Sequence, residues 1–223
     1  MRRLAKQLWI FVMLGLGISL PAQAGFTLYY MADPIEAKVI DAETKQPLEG
    51  VIVVAHWELV YGSPGGDSPA GQLMVMEAVT GKDGTFRFPG WGPKLAISSH
   101  LSDYRDPELV LFKSGYQSRT LTNELTGENK GARRRSDWNG KVIAMKSFTV
   151  NGKNTYLDWD FEISLGFLTA TDTWKKTPCA LLALDAEAKR VGLKSIVNFF
   201  PVSDTEQNGI KNFFAKTKQC KKP

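Results

Sequence analysis

The fold of this chain is decided by residues 35–54, in which one strand pattern is followed by a turn and a second strand pattern. The two strand segments read Ile35-Glu36-Ala37-Lys38-Val39-Ile40-Asp41 and Gly50-Val51-Ile52-Val53-Val54. Apolar and charged residues alternate in the first segment, which is the period of a half-buried β-strand. Turn formers fill the region between the two, and the β-branched run after it favours a second strand, over residues 51–60. The stretch therefore predicts a β-protein.

A second turn lies at Asp83-Gly84, between residues 73–80 and residues 85–89. Glycine accepts the positive φ that a tight hairpin turn requires. Phe86 and Phe88 then lie on the same face of the strand that follows, because side chains alternate along a strand. We predict a hairpin here, preceded by a loop over residues 61–72, where Gly, Pro and Ser are dense.

The strand pattern continues to about residue 150. We predict further strands at residues 108–113 and 140–145, an arm or edge strand at residues 25–31, and exposed loops at residues 98–107 and 123–139. Short strands at near-regular spacing are typical of sandwiches. The prediction is a mainly β domain over residues 25–150, an antiparallel β-sandwich of about seven strands.

The pattern changes to helical spacing in residues 151–223. Thr177 precedes Pro178, which suits a capping residue and the first position of a helix. Lys189 and Arg190 fall in the last turn of the same segment, where cations complement the helix dipole. We predict a helical C-terminal extension that packs on the sandwich. Helical periodicity also marks residues 157–168 and residues 203–217.

The N-terminus has the form of a secretory signal peptide. Basic residues are followed by an uncharged, mostly apolar segment at residues 8–20 and then by Ala22-Gln23-Ala24. The apolar core has about 13 residues, fewer than the ~20 that a membrane-spanning helix needs, which disfavours the alternative of a membrane anchor. We predict cleavage between Ala24 and Gly25, removal of residues 1–24, no transmembrane segment afterwards, and a periplasmic or secreted location.

Cleavage would change the charge balance, because Arg2, Arg3 and Lys6 leave with the signal peptide and lower the net charge from +5 to +2. A charge this small gives little reason to expect nucleic-acid binding. The two cysteines, Cys179 and Cys220, are predicted to form a disulfide, since export exposes them to an oxidising compartment. Two independent buried thiols are the alternative.

Three motifs carry a resemblance to a known family. They are Val-Ile-Asp-Ala-Glu-Thr-Lys-Gln-Pro-Leu-Glu-Gly-Val at residues 39–51, Gly-Lys-Asp-Gly-Thr-Phe-Arg-Phe at residues 81–88, and Phe-Lys-Ser-Gly-Tyr at residues 112–116. In this order the chain resembles the carboxypeptidase regulatory-like domain, a prealbumin-like (transthyretin-like) β-sandwich, over residues 34–146. The resemblance implies a folding or interaction module without catalytic residues. The related hydroxyisourate hydrolases end in Tyr-Arg-Gly-Ser, which this chain lacks.

Two kinds of chemical site in this sequence could belong to an enzyme. Ser68, in Gly66-Asp67-Ser68, together with His56 or His100 is reminiscent of a serine hydrolase. The residue after Ser68 is Pro69, which has no N–H to help bind an oxyanion, so a flexible loop is favoured. A metal site from the two histidines and Asp103 has no supporting spacing. We predict no catalytic set, no metal and no cofactor.

The candidate binding residues are aromatic and basic side chains in predicted loops. Aromatic rings can stack on sugars or anchor an interface, and an arginine run can hold anionic groups. The leading hypothesis is an exported, non-enzymatic module that binds a protein of a Gram-negative-type envelope. A carbohydrate-binding module for an envelope glycan is the alternative, and an unrecognised hydrolase is the third. The residues singled out are Trp91, Tyr104, Arg133, Arg134, Arg135 and Trp138.

Overall fold

A computed structural model describes residues 29–101, 105–124, 131–147 and 175–190, with Asn212 and Cys220. The predicted signal peptide, the predicted helices at residues 157–168 and (apart from Asn212) 203–217, and the candidate Tyr104 lie outside this part of the chain. No helix in the described part is long and apolar enough to cross a membrane.

The described residues form a mainly β fold, which confirms the predicted β-sandwich with a C-terminal helix. The described residues contain eleven strands rather than about seven, because bends divide long strands and several strands are short. The strands are β1 Tyr29–Ala32, β2 Ile35–Asp41, β3 Ile52–Tyr61, β4 Ser68–Val79, β5 Thr85–Phe88, β6 Trp91–Leu95, β7 His100–Leu101, β8 Glu108–Phe112, β9 Arg119–Leu121, β10 Arg133–Arg134 and β11 Val142–Met145. The helix, α1, spans Pro178–Arg190.

One layer of the sandwich is a bent sheet made of two three-stranded halves. One half has the order β10-β1-β6 and the other the order β11-β2-β5. Each central strand, β1 or β2, thus lies between two strands that come later in the chain. β1 and β2 are separated only by Asp33 and Pro34, and β5 and β6 only by Pro89 and Gly90. Proline at these positions interrupts the ladder and the sheet turns there. We call this layer the bent sheet.

The bent sheet is not wholly antiparallel, contrary to the prediction. β1 pairs with β10 and β2 pairs with β11 in parallel, whereas β6 and β5 run antiparallel to β1 and β2. The parallel pairs arise because residues 131–147 return along the side of β1 and β2 that β5 and β6 leave open. The predicted lead-in arm, at β1, is therefore a central strand.

The opposite layer is an antiparallel sheet in the order β4-β3-β8-β9, with β7 paired to the end of β3. β4 begins at Ser68, so the loop predicted over residues 61–72 is shorter than expected. The predicted hairpin between residues 73–80 and 85–89 is wrong, because β4 pairs with β3 and β5 pairs with β2. The Asp83-Gly84 turn instead carries the chain between the layers.

The geometry of this turn explains why glycine stands at its centre. Gly84 has a φ of 77°. Its carbonyl accepts the Val39 N–H at 2.8 Å, and an added Cβ would lie only 2.4 Å from the Val39 carbonyl oxygen. Asp83 accepts the Thr85 N–H through its side chain at 3.0 Å. Any side chain at Gly84 would push β2 away from the turn.

The main core lies between the two layers. Alternate residues of β2, such as Ile35 and Val39, face Val53 and Trp57 of β3 across it, together with Phe86 and other buried residues. The burial alternates along β2 as predicted from the sequence. At one end of the core, the Tyr116 hydroxyl donates to Asp41 Oδ2 at 2.9 Å, joining two turns.

α1 covers the outer face of the five-stranded sheet, which is why β3 is buried on both sides. Val54 and its neighbour across the ladder, Val110, are buried there but belong to no part of the main core. α1 contributes Leu181 and Leu184 to this second apolar layer. The predicted disulfide is confirmed: Cys179 in the first turn is bonded to Cys220. We call this helix-covered surface the covered face.

Candidate functional site

A shallow open groove lies where the bent sheet turns. It has a volume of about 290 Å³ and is lined by residues 31–34, residues 90–92 and Arg133. The strands meet closely here: an added Cβ at Gly90 would lie 2.9 Å from the Ala32 carbonyl oxygen, and one at Gly92 would lie 2.5 Å from Met31 Cβ. Glycine at both positions is what allows the two strands to approach. We call this feature the bend groove.

Arg133 and Arg135 share one carboxylate at the edge of the bend groove. Arg133 Nε lies 2.6 Å from Asp33 Oδ1, and Arg135 Nε lies 3.3 Å from Asp33 Oδ2. Both arginines are largely exposed, with 64% and 76% of their side chains accessible. Guanidinium groups held in this way are pre-oriented and remain accessible to an anionic group on a partner.

Arg134 points the other way, so the three consecutive arginines do not form one exposed run as expected. Only 2% of its side chain is exposed, and its Nε lies 3.5 Å from Asp106 Oδ2, a carboxylate that is equally buried. Its guanidinium lies over the ring of Tyr30, 5.3 Å from the centroid, and donates to the Leu101 carbonyl at 3.4 Å. The physical reason is strand alternation: β10 turns neighbouring side chains to opposite faces.

Trp91 is the first residue of β6 rather than part of a loop, and it is buried. Its ring meets Trp57 edge to face, with 5.1 Å between centroids and an angle of 86°. It borders the bend groove from below but does not offer an open ring face. The expectation that Trp91 lies on the surface is therefore wrong, because β6 pairs with β1 and turns this side chain into the core.

Trp138 lies apart from the bend groove's lining residues. Its indole N–H donates to the Thr122 carbonyl at 3.0 Å, and its ring packs against the core while remaining partly exposed. Of the candidates from the sequence, the structure thus brings together Trp91 and Arg133 at the groove, places Arg135 beside it, and puts Arg134 beneath.

The outer face of the bent sheet that carries Arg133 also carries apolar residues that sequence reasoning did not single out. Tyr29 and Leu95 form a cross-strand pair, and each is 52% exposed. Ile97, two residues beyond Leu95, is 74% exposed. Met31, two residues along from Tyr29, pairs with Arg133, so the apolar pair and the arginine lie on one face of β1. We call this the β1 face; it consists of Tyr29, Met31, Asp33, Leu95, Ile97, Arg133 and Arg135.

Asn123 is a further residue that sequence reasoning missed. Its side-chain amide N–H groups donate to the carbonyls of Asp106 and Arg135 at 2.9 and 2.8 Å, and its oxygen accepts the Asp137 N–H at 2.9 Å. It is buried. Asn123 therefore fixes the chain at the end of the arginine run and joins it to the segment that carries Asp106. An isolated asparagine after a strand gives no sequence signal of this role.

His56 and Ser68 lie far apart in the sheet. His56 pairs with Val75, whereas Ser68 pairs with Tyr61, five residues further along β3 and so about 17 Å away at the usual rise per residue. His56 lies buried between Gln72 and Glu108, with both contacts at 3.1 Å. His100 is 3.9 Å from Asp67 on the surface. Within the described part of the chain, no group of three or more His, Cys, Asp or Glu could hold a metal.

No family model and no curated protein matches the chain. Among solved structures it is similar to a group B streptococcus pilus 2b backbone protein, with 16% identity and a TM-score of 0.27 over 53% of this chain and 42% of that one. A streptococcal ancillary pilin gives 17% identity and 0.22 over 54% and 30%. A 9R-lipoxygenase from Cyanothece gives 14% identity and 0.30 over 84% and 28%.

The chain spans less than half the length of each of these three solved chains. Their TM-scores are too low to carry an argument about function. The β-sandwich is therefore confirmed by the structure itself, while membership of the carboxypeptidase regulatory-like family stays a prediction.

Proposed function

We propose that this protein is an exported, non-enzymatic β-sandwich module that binds a partner protein of the cell envelope through its β1 face. The observation that carries the proposal is the exposed pair of Tyr29 and Leu95, with Ile97 beside it, next to the accessible guanidinium groups of Arg133 and Arg135. Tyrosine, methionine and arginine around an apolar centre are the residues enriched at protein interfaces.

The chemistry of the β1 face indicates what the partner offers. Apolar contact would come from Tyr29, Leu95 and Ile97, and a carboxylate of the partner would be received by Arg133 at the groove. Asp33 holds the guanidinium in place and leaves much of it accessible. The partner surface is therefore expected to be apolar at its centre and acidic at its margin.

The carbohydrate alternative is less well supported by the geometry. Flat aromatic faces in open positions are what a sugar ring stacks on, and Trp91 is buried against Trp57. Trp138 is partly exposed but stands away from the groove lining.

The test is retention of the purified protein on envelope fractions, namely peptidoglycan sacculi, outer-membrane vesicles and a soluble periplasmic extract. Leu95→Asp and Ile97→Asp place a charge in the apolar centre and should reduce retention at least tenfold. Val142→Asp is the matched control, since Val142 is an exposed strand residue of the other half of the bent sheet. Arg133→Ala should weaken retention and reduce its salt dependence.

Three outcomes would contradict the proposal. Equal losses in Leu95→Asp and Val142→Asp would show that the β1 face is not the contact. Competition by soluble glycan fragments would show that the protein binds a carbohydrate instead of a protein. Retention on no fraction would remove the envelope partner altogether.

A further inference from the structure

The start of α1 rests on one carboxylate of the sheet. Glu77 of β4 accepts the backbone N–H of Cys179 at 3.0 Å and that of Ala180 at 2.6 Å, one on each carboxylate oxygen. These amides belong to the first turn of a helix that begins at Pro178, where N–H groups have no partner within the helix. A side chain from the sheet thus caps a helix more than 100 residues further along the chain.

The far end of α1 is held differently. Ser114 Oγ donates to Glu187 Oε2 at 2.8 Å, and Arg190 Nε donates to the same oxygen at 2.8 Å. Glu187 is buried, but the arginine neutralises it within the helix. Of the two carboxylates at the ends of α1, Glu77 is therefore the one that is held by backbone N–H groups and, among the described residues, by no cation.

Burial is the dominant influence on Glu77 and raises its pKa to about 7, although the two backbone N–H groups act in the opposite direction. Across the ladder, Glu77 faces Val54 of β3, and His56 lies two pairs further along on the same face of the strand. The first turn of α1 has no acidic residue. The charged residues of this segment lie just before the helix or in its later turns. They are Lys175, Lys176, Asp185, Glu187, Lys189 and Arg190.

We propose that Glu77 makes the docking of α1 on the covered face sensitive to pH, so that the helix is held most tightly in acid and loosens as the pH rises. The sign follows from linkage. Docking takes the Glu77 carboxyl out of water, and this burial disfavours its charged form by more than the two backbone N–H groups favour it. The docked state therefore binds the Glu77 proton more tightly than a solvated, undocked state, and protonation favours docking. The effect is complete below about pH 4.5, the ordinary value for glutamate, and is lost as the pH rises through about 7.

Loosening of α1 has a defined consequence for the surface. Val54, Val110 and Phe112 are buried where the helix lies. Their exposure at higher pH would offer a second apolar surface, on the opposite side of the sandwich from the β1 face. The disulfide remains covalent throughout and keeps the first turn of α1 bonded to Cys220.

Hydrogen exchange of the α1 amides in the full chain tests the proposal, with rates corrected for the intrinsic pH dependence of exchange. Between pH 5.5 and pH 8, protection of α1 in the wild type should fall roughly 25-fold through Glu77 and level off above about pH 7. Glu77→Gln retains one oxygen that can accept an N–H but cannot titrate, so its α1 protection should not show this fall. Glu49→Gln, in an exposed turn, is the matched control and should behave as the wild type.

If Glu77→Gln releases the helix at every pH, the pH dependence of α1 protection in the wild type still tests the proposal. A flat profile, or protection that rises with pH, would overturn it. The same decline in the wild type and in Glu77→Gln would assign the pH dependence to another group and would equally overturn it. Failure of this experiment leaves the β1 face proposal unaffected, because that proposal involves other residues.

Discussion

The two outer faces of the sandwich differ in how far their apolar side chains are covered. On the covered face, α1 buries Val54 and Val110, so that β3 is apolar on both sides. On the β1 face, Tyr29 and Leu95 are left half exposed beside paired arginine and aspartate side chains. The difference shows how one fold can cover one sheet with its own helix and leave apolar side chains of the other sheet exposed. The predictions below separate the two faces.

The largest effect is expected beneath the β1 face. Arg134→Ala would leave the Asp106 carboxylate buried without its guanidinium, and the free energy of unfolding should fall by about 3–5 kcal/mol. Arg133→Ala, at an exposed pair one residue away, should cost no more than about 1 kcal/mol. Urea unfolding of both variants at pH 7 measures the difference. Similar losses would mean that burial does not distinguish these arginines.

The disulfide should matter for the covered face more than for the β1 face. Replacing both cysteines, by Cys179→Ala and Cys220→Ala, removes a link across 41 residues and gives the unfolded chain more conformational freedom. In the chain-entropy account the free energy of unfolding falls by about 4 kcal/mol. Hydrogen exchange should show faster exchange in α1, with β1 and β6 little changed. Loss of protection in β1 and β6 of the same size would contradict the separation of the two faces.

Paired leucine substitutions give the smallest expected difference. Leu181→Ala removes a fully buried side chain from α1, and the free energy of unfolding should fall by about 3 kcal/mol. Leu95→Ala, at a half-exposed position of the β1 face, should change it by less than about 0.5 kcal/mol. Thermal unfolding of the two variants makes the comparison. A large loss in Leu95→Ala would make this residue structural rather than part of a binding surface.

The parts of the fold with a regular hydrophobic period could be predicted from the sequence. The alternation of β2, the continuous apolar run of β3 and the Thr177-Pro178 start of α1 all correspond to observed elements. The pairing of the strands could not be predicted, since the Asp83-Gly84 turn is compatible with a hairpin and with a crossing between layers. The hydrogen bond from Val39 to Gly84 decides between them.

The candidate site was harder to predict for a related reason. Three identical arginines carry no hydrophobic period, so nothing in Arg133, Arg134 and Arg135 shows which one faces inward. The answer depends on Asp106 and Tyr30, which come from distant parts of the chain. Cys179 and Cys220 were a simpler case, because only two cysteines were present to pair.

The parallel pairing of β2 with β11 has a consequence for the time at which the protein can fold. Lys38 pairs with Val142 and Asp41 pairs with Met145, and the Glu36 N–H donates to the Asn139 side chain 103 residues away. Contacts this distant in sequence form slowly, because a long loop must close first. A chain emerging from its N-terminus cannot complete the bent sheet until residue 145 is available. Until then β1 and β2 lack their parallel partners, so the bent sheet is among the last parts of the described fold to be completed during synthesis.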